Sequence, residues 1–171
     1  YYKAQDKAAE DMTPDGFLKT GDMGEIDEMG RLRITGRVKE LFKTSKGKYV
    51  APVPVEQKLA NHPAVESVCV AGFDLPQPIA LMMLSPDAFK ALKDSAGKET
   101  LAQQLGGLLD QVNHTLEDHE QMDYIVVVKE QWTMDNGFLT PTMKIKRNVI
   151  EGHYAPKVPS WSKAKQVIVW E

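Results

Sequence analysis

Apolar positions along the chain change period from block to block, and each block reads as a short element. Residues 1–16 are polar, rich in Ala, Asp and Lys, and close on the turn signal Thr13-Pro14-Asp15-Gly16. Met23 to Ile26 is a short mixed arm and Asp27-Glu28-Met29-Gly30 a tight turn. Arg31 to Thr35 then alternates polar and apolar, as a half-buried strand does. Together these predict a β-hairpin with an acidic first arm and a basic second arm. A smaller hairpin is expected between Val38 and Val50, with Gly47 supplying a positive φ at its loop.

Beyond Val50 the pattern becomes that of alternating layers. Pro54 suits the first turn of a helix in which Val55 and Leu59 mark one face, and Pro63 ends it. The apolar runs Ala64–Phe73 and Pro78–Ser85 read as strands, partly buried on both faces. Helical spacing follows over Pro86–Asp94 and over Lys98–Glu120, where Leu101, Leu105, Leu108, Leu109, Val112 and Leu116 recur every three or four residues. Gly106-Gly107 is expected to weaken or split the longer helix. Tyr124–Val128 is a third buried strand. The fold class is therefore α/β (α+β): a small domain with a mixed three-stranded sheet flanked by helices, preceded by β-hairpins. A boundary is expected near Arg37 to Lys39, with no Pro- or Ser-rich linker and hence a short hinge.

Composition narrows the function classes. A hydrophobic share of 42% and a charged share of 26% are those of a globular chain. The net charge of −3 argues against a general nucleic-acid binder. A single cysteine, Cys69, cannot form an internal disulfide; it lies in an apolar run, reads as a buried thiol and suits a reducing, cytoplasmic setting. No stretch approaches the ~20 apolar residues of a membrane span. The first residue is Tyr rather than Met, which fits a piece of a longer protein.

Candidate chemistry is sparse when each motif is taken alone. The carboxylate of Asp22, after Gly21, is an acceptor that suits a pair of ribose hydroxyls as well as an ordinary turn. Arg37 follows Gly36 at a strand end, where its fork can meet phosphate or ribose oxygens. Lys39 and Lys43 read as solvated charges, and Lys46-Gly47-Lys48 lacks the P-loop pattern. His62, His114, His119 and His153 are scattered, so no metal site is expected. Lys144, Lys146 and Arg147 crowd together after the turn Thr140-Pro141-Thr142.

Taken in order, these motifs resemble the adenylate-forming (AMP-binding) superfamily of acyl-CoA synthetases, adenylation domains and luciferases. The resemblance rests on Thr20-Gly21-Asp22, the turn from Asp27 to Gly30, Gly36-Arg37-Val38-Lys39, Gly47, the segment from Pro52 to Glu56, and Leu139 to Arg147. It covers most of residues 15–150. The forms around Lys48 and Lys144 are most similar to the long-chain fatty-acid–CoA ligase branch, where Met143 stands in place of a glycine common elsewhere.

The resemblance implies that residues 1–37 are the tail end of a large N-terminal adenylation domain and residues 38–171 its C-terminal lid. It implies an acid–thiol ligase with ATP and CoA as substrates, forming acyl-AMP and then acyl-CoA by lid rotation. Asp22 and Arg37 would bind ATP or AMP, Lys39 would be the hinge, and Lys144 the catalytic lysine of adenylation. Lys43, Ser45, Lys46, Gly47 and Lys48 would serve the CoA or thioester step. Lys146 and Arg147 would be surface or CoA-facing charges. Magnesium would belong to the intact enzyme, with no ligands in this segment. Partners would be ATP, CoA, a fatty acid and the N-terminal domain, not nucleic acid, with peripheral membrane association possible for the intact enzyme. Alone, the segment would be inactive, with Lys144 pointing out to meet nothing. A fatty acyl-AMP ligase, another adenylating enzyme or a non-catalytic α/β binding module are the alternatives.

Overall fold

The computed structural model describes residues 5–171. A short helix α1 (Gln5–Asp11) leads into the predicted turn, where Thr13 and Phe17 exchange hydrogen bonds of 2.8 and 2.9 Å. Strands β1 (Asp22–Ile26) and β2 (Leu32–Arg37) then pair antiparallel. Their turn is built by Asp27, whose Oδ1 accepts from the Met29 and Arg31 backbone N–H groups at 3.0 and 2.9 Å. Arg31 Nε lies 2.6 Å from Asp27 Oδ2, and these bonds hold the Asp27 carboxyl below the usual carboxylate range. The acidic and basic arms meet as expected, through Asp22–Arg37 and Glu25–Arg33. The strand β2 was expected to be half-buried, yet Leu32 and Ile34 remain 66% and 58% exposed. Few of the described residues pack over that face of the hairpin.

A 3-10 turn (Val38–Glu40) connects to the small hairpin β3 (Phe42–Lys43) and β4 (Tyr49–Val50), with Gly47 at φ +83° as expected. Helix α2 (Pro52–Ala60) buries Pro52, Val55 and Leu59. The central sheet is then laid down by β5 (Val65–Ala71) and β6 (Ile79–Leu84), which are antiparallel. Helices α3 (Pro86–Ala91) and α4 (Ser95–Asn113) are capped by Ser85 and Asp94. Strand β7 (Ile125–Val127) pairs parallel to β6. After α5 (Arg147–Tyr154) and α6 (Val158–Ala164), β8 (Ile168–Trp170) adds parallel to β7. The sheet is mixed, in the order β5-β6-β7-β8, and carries four strands rather than the expected three. The fourth is only three residues long and its Val167 neighbour is exposed, so the tail shows little periodicity.

All six residues of β6 are buried, and they alternate between two cores as a pleated strand must. Ala80, Met82 and Leu84 face α2 and α4, with Val55, Leu59, Leu101, Leu105 and Leu109. Ile79, Leu81 and Met83 face α5 and α6, with Ile150, Tyr154, Val158 and Trp161. The expected break at Gly106-Gly107 does not occur: α4 runs through both glycines. Each glycine costs a helix about 1 kcal/mol, but one buried Leu contributes ~1.5–3 kcal/mol, and this helix buries three. It ends at Asn113, earlier than expected, because the Asn113 side chain bonds the Met122 N–H and C=O at 2.9 Å each and turns the chain toward β7.

Candidate active site

The cleft of interest lies where the first hairpin meets the sheet domain. It has a volume of about 480 Å³, and its lining includes Asp22, Arg37, Glu40, Glu56, Lys144 and Arg147. Three elements far apart in sequence thus contribute to one concavity: the β1–β2 hairpin, α2 and the segment before α5.

Asp22 and Arg37 are opposite one another in the hairpin register, and Arg37 Nε lies 3.0 Å from Asp22 Oδ1. The backbone there is fixed from several sides. Gly21 takes φ +77°, Thr20 Oγ1 accepts from Asp22 N at 3.1 Å, and Val38 N donates to Gly21 O at 2.9 Å. Asp22 is 28% exposed and Arg37 62%, so the carboxylate sits in the fold and the guanidinium reaches out.

Lys144 stands at the end of a tight hairpin of its own. Thr140 holds it twice: Thr140 N donates to Lys144 O at 2.8 Å, and Lys144 N donates to Thr140 Oγ1 at 3.1 Å. Leu139 and Ile145 form the bridge beneath, and Lys146 N closes the base on Phe138 O at 2.7 Å. Met143, at the tip, takes φ +61°, a conformation that favours glycine. The sequence suggested that Lys144 would point outward and meet nothing. It is exposed, but it lines the same cleft as Asp22 and Arg37.

The wall beside Lys144 is a buried ion pair. Arg147 Nη2 lies 2.7 and 3.0 Å from the two Glu56 carboxylate oxygens, with side chains only 15% and 12% exposed. Burial pushes the Glu56 carboxyl upward, and the Arg147 guanidinium pulls against it. Burial works against the Arg147 charge in turn, but the neighbouring carboxylate keeps it protonated, above its ordinary value. The reading of Arg147 as a surface or CoA-facing charge is therefore corrected. Arg147, Ile150 and Tyr154 share one face of α5, and the latter two are fully buried. Cys69, beneath the pair, is buried as expected, and burial pushes its thiol well up.

Of the cleft's charged lining, Asp22 pairs with Arg37 and Glu56 with Arg147, while Glu40 makes no ion pair within 4 Å among the described residues. Lys144 is the cation that no carboxylate within 4 Å engages among the described residues. A site of this kind can hold an anion against Lys144 and hydroxyls against Asp22.

The other sequence candidates lie elsewhere. Lys39 is exposed in the 3-10 turn, outside the cleft lining. Lys43, Ser45, Lys46, Gly47 and Lys48 are all exposed on the second hairpin, also outside it. That hairpin is anchored by Thr44, 4% exposed, by Ser45 N donating to Leu75 O at 3.0 Å, and by Phe42 lying against Gly72. Among the described residues, no three His, Cys, Asp or Glu side chains converge to hold a metal ion. No helix there is long and apolar enough to cross a membrane.

Comparison with known proteins gives the family. Over 169 residues the chain is 34% identical to a long-chain-fatty-acid–CoA ligase of Mycobacterium tuberculosis, covering 92% of this chain and 28% of that protein. It is 31% identical over 172 residues to long-chain-fatty-acid–CoA ligase 1 of Homo sapiens, covering 92% of this chain and 24% of that protein. The chain thus spans about a quarter of the length of these relatives. Among solved structures, the adenylation domain of a carboxylate reductase from Mycobacterium chelonae matches with a TM-score of 0.79 at 25% identity, over 95% of this chain and 26% of that one. Residues 40–164 match the family described as the AMP-binding enzyme C-terminal domain. With most of its length inside that match, the chain belongs to the AMP-binding enzyme C-terminal domain family.

Proposed function

We propose that this chain is the C-terminal part of an ATP-dependent, AMP-forming long-chain fatty-acid–CoA ligase. The observation that carries the reading is that Asp22, Arg37 and Lys144 line one cleft. The similarity to ligases of that name supports the choice of substrate class. Residues 1–37 would belong to the large N-terminal domain and residues 38–171 to the lid.

In the first half-reaction a fatty-acid carboxylate oxygen attacks the α-phosphorus of ATP and pyrophosphate leaves. Asp22 accepts hydrogen bonds from the ribose hydroxyls, and Arg37 contacts ribose or phosphate oxygens. Lys144 Nζ lies between the two anions as they close. Two unit charges 4 Å apart repel by about 4 kcal/mol at an effective dielectric near 20, and one placed ammonium offsets that repulsion as charge builds. Lys144 suits this role because no carboxylate of the described cleft engages it. Magnesium in the intact enzyme would be held by other residues.

In the second half-reaction the sulfur of CoA attacks the acyl carbon and AMP leaves. The lid turns between the steps about Lys39, whose place in a three-residue 3-10 turn between two hairpins suits a backbone hinge. The turn would bring in the second hairpin, where Lys43, Ser45, Lys46, Gly47 and Lys48 stand outside the present cleft. Their exposed backbone and ammonium groups suit pantetheine and the CoA phosphates. The buried, unpaired Cys69 suits a cytoplasmic setting, and the intact enzyme would meet membranes peripherally to collect its acyl substrate.

The test is a product assay on the full-length protein with ATP, a long-chain fatty acid and CoA. Acyl-CoA, AMP and pyrophosphate in equal amounts are expected. Acyl-adenylate that persists in the presence of CoA would assign the chain to an acyl-AMP ligase instead. In the same assay Lys39→Pro should leave pyrophosphate release intact and stop acyl-CoA formation; an unchanged second step removes Lys39 from the hinge.

A further inference from the structure

We infer that the Glu56–Arg147 ion pair is a positioning device for Lys144, an inference that rests on the adenylation role given to Lys144 above. Arg147 stands three residues after Lys144 and opens α5. Its Nη1 donates to Val70 O at 2.8 Å and to Cys69 Sγ at 3.3 Å, while its Nη2 holds both oxygens of Glu56. Glu56 Oε1 accepts in turn from Val70 N at 2.8 Å. Because β5 is an edge strand, the N–H and C=O of Val70 on that side have no strand to pair with among the described residues. The ion pair takes both, as a neighbouring strand would. One pair of side chains thereby joins α2, the sheet edge and the start of α5.

The Lys144 hairpin depends on that junction. Among the described residues, the hydrogen bonds of residues 138–146 all stay within residues 133–150. They shape the hairpin without orienting it against α2 and the cleft. Phe138 and Leu139 bury its base in the core, but apolar packing fixes direction less sharply than a two-pronged charged contact. Arg147 supplies that contact from the first residue after the hairpin's base. Glu56 and Arg147 also line the cleft with Lys144, and the guanidinium engages both oxygens of the carboxylate there.

The test uses the full-length enzyme with Arg147→Met, Arg147→Lys and Glu56→Gln, each assayed below its measured thermal transition. Pyrophosphate release from ATP and fatty acid reads adenylation; acyl-CoA formed from supplied acyl-adenylate and CoA reads the second step. Arg147→Met and Glu56→Gln should lower kcat for adenylation on the order of 100-fold, the cost of displacing a catalytic group by about 1 Å, with KM for ATP near wild type. The second step should stay near wild type, and Arg147→Lys should recover part of the loss. Equal loss in both steps, or a folded variant with full adenylation, overturns the inference. Failure of all three variants to fold also overturns it, because the pair then serves stability alone. Lys144→Ala runs in parallel. If it retains adenylation, the role of Lys144 fails; if it alone loses adenylation, only the positioning role fails.

Discussion

Asp22 and Arg37 face each other across the first hairpin, with Arg37 Nε 3.0 Å from Asp22 Oδ1, so the two residues proposed to hold the nucleotide also hold one another. The Arg37 side is open to water and the Asp22 side partly so, and such solvent-reached pairs contribute about 0–1 kcal/mol to stability. Asp22→Ala should therefore leave the thermal midpoint of the full-length enzyme almost unmoved. Its cost should appear in nucleotide affinity: hydrogen bonds to a charged acceptor are worth ~1.5–3 kcal/mol, or about ten- to a hundredfold in KM for ATP. Steady-state kinetics beside a melting curve checks this; a large stability loss with unchanged KM contradicts it.

Gly72 marks the contact that seats the second hairpin. A Cβ there would lie 2.5 Å from the Phe42 ring. Gly72→Ala should force Phe42 aside and destabilise the chain by about 1–3 kcal/mol, as overpacking does. Urea denaturation measures it. If the second hairpin serves the thioester step, acyl-CoA formation should suffer more than pyrophosphate release.

Much of this was legible in the sequence, and the failures have physical causes. Turn chemistry placed both hairpins, through Asp27, Gly30 and Gly47, because those residues act locally. Continuous apolar runs placed β5 and β6, and helical spacing placed the body of α4. What the sequence hid was decided by contacts across the fold. β8 is three residues long and is made a strand by β7, and α4 survives two glycines because its leucines are buried. Among site residues, Asp22, Arg37 and Lys144 stood out by motif, but Arg147 looked like one more surface cation. Its partner Glu56 lies 91 residues away, a separation that no local pattern spans.

Met143 carries a strained backbone, φ +61°, at the tip of the Lys144 hairpin. Replacing it with glycine should be tolerated or stabilising by up to about 1 kcal/mol, since the left-handed conformation costs a side chain roughly that much. Met143→Val should cost more than any lost contact explains, because a β-branched residue resists that conformation. Paired denaturation curves of the two variants decide the order, and a Val variant as stable as the Gly variant would contradict it.

Tyr154 gives a pH signature. Its ring is fully buried and its hydroxyl accepts from Trp132 Nε1 at 3.2 Å; burial pushes the phenol up to about 12 from an ordinary value of 10.0. The folded state therefore keeps a proton that the unfolded chain releases. Stability from this group is complete below pH 10 and is lost as pH rises toward about 12, by on the order of 2–3 kcal/mol. Denaturation at stepped alkaline pH should show this decline, and Tyr154→Phe should make it shallower by that amount, leaving the parts due to the buried Cys69 thiol and the Tyr124 phenol.

Lys144 is proposed to act in adenylation and not in thioester formation, and the half-reactions of full-length Lys144→Ala separate the two. Removal of one electrostatic stabiliser of this kind costs about 10²–10³ in rate, so pyrophosphate release should fall by that factor. Acyl-CoA formation from supplied acyl-adenylate should remain near wild type. Equal loss of both half-reactions, or retention of both, would remove Lys144 from that role.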